Sequence, residues 1–409
     1  MKTIPACIWV TWACVSAAFA QENYSQQWSY FKNVSINTTP SGADVVHNVT
    51  KFPLLVRLSS VNSDVFSGAL ATGADIRFSK SNGTTPLHYQ IERWDSAGRA
   101  AEIWVLMDTV FGNNSTQSIR MYWGKKGAPD SSSGPGVFES SNGFVAVWHL
   151  ADSGGTNVGG YRDATSYHHN GTGVNMTGAS TVAGTIGKAS NFSGTQYIAV
   201  PSSDALNISY SITVSAWFLS KDWNGNNRIL EKGNADNQYC LRNELQQFEW
   251  KVDGTFGGPI LQIIQPSTGV WHLVHATYDY DYGYTDIFID GTLRGSQSTT
   301  GTIGTGTITD YLSIGGKPGT VAPADYFNGI MDEVRVQNKT RDFDWYRLDY
   351  GTQNPGSTAV TLGPTQVPSS IHSISLRSRK GMIKSAWFHL IDLRGRMVDA
   401  MGKHIPPPR

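Results

Sequence analysis

Apolar residues along this chain come in many short aromatic or β-branched runs, broken by clusters of Gly, Asn and Asp. That pattern predicts strands joined by tight turns rather than packed helices. From about Tyr24 to Pro135, the runs at 52–58, 74–78, 87–94, 101–107 and 118–123 read as strands. Ser81-Asn82-Gly83, Asp95-Ser96-Ala97-Gly98 and Gly112-Asn113-Asn114 mark turns between them. A Ser/Gly/Pro-rich stretch at 130–136 reads as a linker. A second series of strands follows at 144–150, 197–201, 212–218, 229–233, 271–278, 286–291, 312–316 and 327–336. Residues 342–350 read as one helical turn or two that pack a Trp and a Tyr. The expected organisation is a small β-sandwich over 21–135, a linker over 136–142, a second β domain over 143–365 and a basic tail over 366–409.

Within the 327–336 run, clean alternation would put Ile330, Asp332, Val334 and Val336 on one face. A carboxylate on an apolar face must be paired, hydrogen-bonded or bound to a metal. This strand therefore carries a fold signal and a candidate site together.

Composition agrees with an all-β reading. The chain holds 43 Gly in 409 residues, and only 16% of it is charged, against about 25% on average. Residues 1–20 have the form of a secretory signal: Lys2, an apolar core from Ile8 to Val15, and Ala18-Phe19-Ala20 before Gln21. That apolar run is shorter than the roughly 20 residues a membrane span needs. Cys7 and Cys14 lie in this segment, so the mature chain keeps Cys240 alone and no internal disulfide, which favours a bacterial exported protein. Cys240 itself reads as a small buried hydrophobe on a strand. Net charge is zero, but residues 367–409 hold eight basic side chains against Asp392 and Asp399, so the remainder is acidic. That argues against nucleic acid as the main partner.

The runs around Pro53, Asp75-Ile76-Arg77, Glu92-Arg93-Trp94-Asp95, Glu102-Ile103-Trp104 and Met121-Tyr122-Trp123-Gly124 together resemble domain of unknown function 2341, a small extracellular β-sandwich without assigned chemistry. The blocks of 143–362 resemble, in order, the LamG-like jelly roll of the concanavalin A-like lectin/glucanase superfamily. The resemblances imply a small β-sandwich followed by an antiparallel jelly-roll sandwich of two stacked sheets. The run from Trp387 to Val398, with Asp392-Leu393-Arg394-Gly395-Arg396, resembles the core of a type IX secretion sorting domain.

The LamG-like resemblance implies a Ca2+ site, with Asp163 and the pair Asp332-Glu333 matching the family's acidic positions and carbonyls near His168 to Gly171 completing the shell. The competing reading pairs Asp332 or Glu333 with Arg335. His168-His169 with His149 reads as a solvated pair and a separate His rather than a zinc site, because adjacent histidines on a strand point to opposite faces. Tyr278-Asp279-Tyr280-Asp281-Tyr282-Gly283-Tyr284 reads as a hairpin tip with too many aromatics for a simple turn. Tyr280, Tyr282 and Tyr284 with Asp281 suit sugar recognition, by ring stacking and hydroxyl hydrogen bonds, and Trp223 is a second loop aromatic. Trp217, Trp250 and Trp271 read as core. The chain has no Glu-x-Asp-x-x-Glu run, Gly-x-Ser-x-Gly elbow, His-Glu-x-x-His or phosphate loop, so catalysis has no support in motif. The expected function is a non-catalytic, lectin-like surface protein that binds extracellular or cell-wall polysaccharide. The alternatives are an adhesive protein that binds other proteins and, behind it, a glycan-cleaving enzyme.

Overall fold

The computed structural model describes residues 24–233, 238–253, 260–304, 311–316, 325–368, 390–391 and 397–398. The leader at 1–20 and the tail strand expected at 371–376 lie outside the described residues. Among the described residues no helix is long and apolar enough to cross a membrane. Leu390–Ile391 and Met397–Val398 pair antiparallel within a separate compact unit, Ser370–Arg409.

The chain is mostly antiparallel sheet. In the first domain, Val49–Leu58, Ala100–Val110 and Tyr89–Asp95 form a three-stranded sheet. A five-stranded sheet runs Val360–Leu362, Tyr30–Ile36, Gln117–Trp123, Arg77–Lys80 and Pro86–Leu87. Its Tyr30–Ile36 strand was not among the expected ones. Its edge strand comes from the far end of the chain, with Val34 opposite Leu362 and Ile36 opposite Val360.

The second domain is a jelly roll of an eight-stranded and a seven-stranded sheet. Alternation divides the strands of the eight-stranded sheet in two. Val214, Ala216, Phe218, Val274, Ala276 and Ile287 fill the space between its sheets. Trp217, Leu273, Phe288 and Val147 point the other way and join the core of the first domain. That outer face is covered by the three-stranded sheet and the Phe343–Gln353 helix, with Phe52 edge-on to Trp345 at 5.3 Å. Asp342 caps the helix, accepting the Trp345 N–H at 2.7 Å, as its side chain suits. Trp217 and Trp250 are buried as expected, Trp271 packs partly buried on the shared core, and Cys240 is buried outside any disulfide, with its Sγ donating to Glu231 Oε2 at 3.4 Å.

Two expectations change here. The 136–142 segment is not an open linker, since Val137 and Phe138 are buried and Phe138 contacts Trp104 and Phe144 at 5.8 and 5.3 Å. Nor does Asn328–Gln337 alternate cleanly. The register slips between Trp217↔Asp332 and Ser215↔Arg335, and Glu333 takes a left-handed φ of 51°. Met331 and Val334, three apart, therefore both face the jelly-roll core with Val336. This bulge puts two residues against one on the partner strand. Asp332 does not share a face with Val334 and Val336; with Glu333 and Arg335 it lies on the side turned to the first domain.

Candidate functional site

The tyrosine hairpin is built by one carboxylate. Asp279 accepts the backbone N–H groups of Asp281 and Tyr282, both at 3.0 Å, and Gly283 closes the turn at φ 69°. Cross-strand register then sets Asp279 opposite Tyr284, Thr277 opposite Asp286, and Asp286 opposite Ser296. These residues share one face and form, with the start of the Phe343–Gln353 helix, a groove of about 700 Å3. Its aromatic walls are Tyr282, Tyr284 and Phe343, which stay 82%, 49% and 56% exposed. Burial pushes the Asp286 carboxyl above its usual range.

Not every residue chosen from sequence is in this groove. Tyr280 turns to Tyr210, edge-on at 5.0 Å, and Asp281 is an exposed turn residue outside the lining. Trp223 is a packing residue, because its Nε1 donates to the Pro266 carbonyl at 2.7 Å and its ring meets Phe218 and Phe248. Phe343, Asp279 and Asp286 were missed. The first looks in sequence like part of a Phe343, Trp345, Tyr346 packing cluster, and only the helix docking on the sheet, with Phe343 5.1 Å from Phe288, brings it to the tyrosines.

The expected Ca2+ ligands have other partners. Asp163 is buried and accepts the N–H groups of Val147, Thr165 and His169 and the Thr165 hydroxyl, all at 2.8–2.9 Å. It is a loop anchor with its oxygens filled. Asp332 accepts the Ile186 N–H at 2.8 Å through Oδ2. Glu333 meets His149 Nδ1 at 2.5 Å and accepts two N–H groups of Arg335 at 2.8 and 3.2 Å. The Arg335 pairing weighed from sequence is thus present for Glu333, while His149 is neither solvated nor paired with His168.

Around Glu333 lies a buried polar layer between the two domains. Arg335 also reaches Asp349 at 3.4 Å and stacks over Trp104 at 4.5 Å. His275 bonds Asp349 at 2.9 Å. From the first domain, Glu92 accepts the Trp104 indole N–H at 2.8 Å, and Arg93 forks onto Glu102 at 2.6 and 2.8 Å. Arg57 donates to the carbonyls of Thr185 at 3.2 Å and Thr352 at 3.4 Å, joining both domains. Burial, reinforced by Glu333 and Asp332, holds the Glu92 carboxyl well above its usual range. Burial and the neighbouring Glu333 do the same to Asp332. Burial alone would raise Glu333 too, but the His149 and Arg335 charges carry it below.

A Ser–His–Asp chain also occurs: Ser267 Oγ is 2.8 Å from His272 Nε2, and His272 Nδ1 is 2.7 Å from Asp290. The connectivity matches nucleophile, base and orienter. The local fold explains it differently. Asp290 has φ 55° beside Gly291 at φ 71°, the signature of a tight hairpin turn, and its other oxygen accepts the Leu273 N–H at 3.0 Å. His272 thus ties that turn to its neighbouring strand, and Ser267 is an exposed loop residue that caps the ring. We expect no labelling of Ser267 by a fluorophosphonate probe at neutral pH, read by intact-mass spectrometry. A stoichiometric adduct there would make the protein a hydrolase.

Comparison with known proteins bears on the fold. Residues 191–344 match the family described as the concanavalin A-like lectin/glucanases superfamily, and residues 72–150 match DUF2341, a domain of unknown function. No curated protein matches the chain. Among solved structures, similar ones include Domain 4 of AbnA, a GH43 extracellular arabinanase from Geobacillus stearothermophilus in complex with arabinotriose, at 19% identity over 51% of this chain and 98% of that one, TM-score 0.39. Another is the binding domain of Paraclostridial Mosquitocidal Protein 1, at 14% identity over 51% and 52%, TM-score 0.39. A botulinum neurotoxin type C structure, described by its interaction with two ganglioside molecules, matches at 9% identity over 52% and 51%, TM-score 0.40. This chain thus spans about half the length of the mosquitocidal and neurotoxin chains. At these scores none of the three bears on what this chain binds. The chain carries a DUF2341 domain followed by a domain of the concanavalin A-like lectin/glucanases superfamily.

Proposed function

We propose that this is an exported, lectin-like protein that holds extracellular or cell-wall polysaccharide in the groove of Tyr282, Tyr284 and Phe343, without cleaving it. The observation that carries the reading is the exposure of three aromatic rings around one groove beside Asp286 and Ser296. Exposed rings of this size are not spent on the core. They offer flat apolar faces to pyranose rings, while the phenol hydroxyls, Asp286 and Ser296 exchange hydrogen bonds with sugar hydroxyls. The groove is open and rests on paired strands and a helix end, which suits an internal stretch of a long polymer.

The test is native electrophoresis of the full chain through gels containing a panel of soluble polysaccharides. At least one should retard the protein. Tyr282→Ala with Tyr284→Ala should weaken that retardation about fivefold or more, since two stacked rings contribute roughly 1–3 kcal/mol together. Melting should be unchanged, because both rings are exposed. Retention that survives the double substitution would place binding elsewhere.

A further inference from the structure

Glu92, His149 and Glu333 come from distant parts of the chain and from both domains. Each offers a ligand atom, and these atoms all lie within 4.8 Å of one another, the one such group among the described residues. We infer that these three side chains form a divalent transition-metal site between the two domains, with His149 Nδ1 and one oxygen from each glutamate as ligands.

Three observations converge on this. The Glu92 side chain is only 1% exposed, yet its Oε1 has no hydrogen-bond partner, and buried Asp332 Oδ1 beside it has none either. Buried carboxylate oxygens are normally satisfied, so two bare ones in a single layer need an explanation. Each ligand, moreover, has an outer partner of the kind that orients metal ligands. His149 Nε2 meets Gln90 Oε1 at 3.3 Å, Trp104 donates to Glu92 Oε2, and Arg335 holds Glu333 Oε2. Finally, there is a way in, since Gln90, Glu92, His149, Asp152 and His168 line a cleft of about 310 Å3.

The geometry also selects the ion. One imidazole with two carboxylates suits zinc, manganese or cobalt rather than calcium, which prefers an all-oxygen shell. Bonds of about 2.1 Å place neighbouring ligand atoms roughly 3–4 Å apart. His149 Nδ1 already lies 3.7 Å from the nearer oxygen of the Glu92 carboxylate, whose other oxygen is the unpartnered Oε1. His149 Nδ1 and Glu333 Oε1, 2.5 Å apart, need open only to about 3 Å to share the cation.

The experiment is titration of the full chain, stripped with EDTA and dialysed, with Co2+ and Zn2+. The expected result is one equivalent bound, with visible Co2+ absorption bands, displacement by Zn2+ and a rise in melting temperature. His149→Gln should abolish the bands, and Glu92→Gln should do so independently if the first variant fails to fold. His168→Ala should retain them. Absence of bands and of any Zn2+-dependent melting shift in the folded wild-type chain would overturn the site, as would bands that persist in both ligand variants. Because none of these readouts involves sugar, the outcome is separate from that of the glycan reading.

Discussion

Separating the chain between Pro135 and Gly143 and expressing the halves alone is expected to yield two pieces that do not reach a native fold. The first piece would lose its Val360–Leu362 edge strand and the partner of Phe52. The second would expose Trp217, Leu273, Phe288 and Trp345, all buried in the shared core. Burying a side chain of this size contributes about 1.5–3 kcal/mol, so four contribute roughly 6–12 kcal/mol. That is comparable with the whole stability of an ordinary domain, about 5–15 kcal/mol. The intact chain should therefore melt residues 24–368 in one cooperative transition, followed by calorimetry and near-ultraviolet circular dichroism. Two independent transitions, each reproduced by an isolated half, would show that the interface is only a docking contact.

Arg335→Ala should be the most damaging single substitution in the interdomain layer. The guanidinium is 1% exposed, holds Glu333 and Asp349, and covers the Trp104 ring. Its removal takes the shared cation from two buried carboxylates, leaving each with its histidine as its remaining ion-pair partner, and opens a cavity. Breaking a buried pair in this way costs about 3–5 kcal/mol. Arg335→Met keeps much of the volume and loses only the charge, so it should be milder. Adding Glu333→Gln to Arg335→Met should recover part of the loss, because the two residues are coupled. Urea midpoints measure all three. A cost under about 1 kcal/mol for Arg335→Ala would mean that the carboxylates find water or protons at no penalty.

Much of the sandwich was legible because its strands are marked locally. The runs at 52–58, 101–107, 118–123, 212–218 and 271–278 became strands with ends shifted by a few residues, and 342–350 became the start of an eleven-residue helix. What the pattern could not carry was pairing between distant segments. No strand was expected at Val360–Leu362, and only its pairing with Tyr30–Ile36, more than 300 residues away in sequence, makes it one. Residues 130–142 have linker composition, and only the three-dimensional arrangement shows that Phe138 fills the gap beside Trp104.

The candidate groove was half legible. A run of tyrosines announces itself, but the turn built on Asp279 sends Tyr280 to Tyr210 and leaves Tyr282 and Tyr284 beside Phe343 in the groove. Trp223 failed for the opposite reason, since a loop aromatic with polar neighbours in sequence turned inward. Asp163 shows the limit of acidic residues as a signal. A carboxylate that anchors a loop and one that binds a cation are alike in sequence, and only the four donors around Asp163 tell them apart. Glu333 was noticed for the right strand, but the bulge that turns it toward His149 requires a left-handed Glu, which no composition rule anticipates.

The central claim is that this protein binds polysaccharide at the tyrosine groove. Its most direct test is hydrogen–deuterium exchange of the intact protein with and without oligosaccharides of the best-retained glycan in the panel. The account predicts new protection confined to residues 277–286, 296 and 340–346. Protection centred on the seven-stranded sheet, around 239–263, or the absence of any retained glycan, would contradict it.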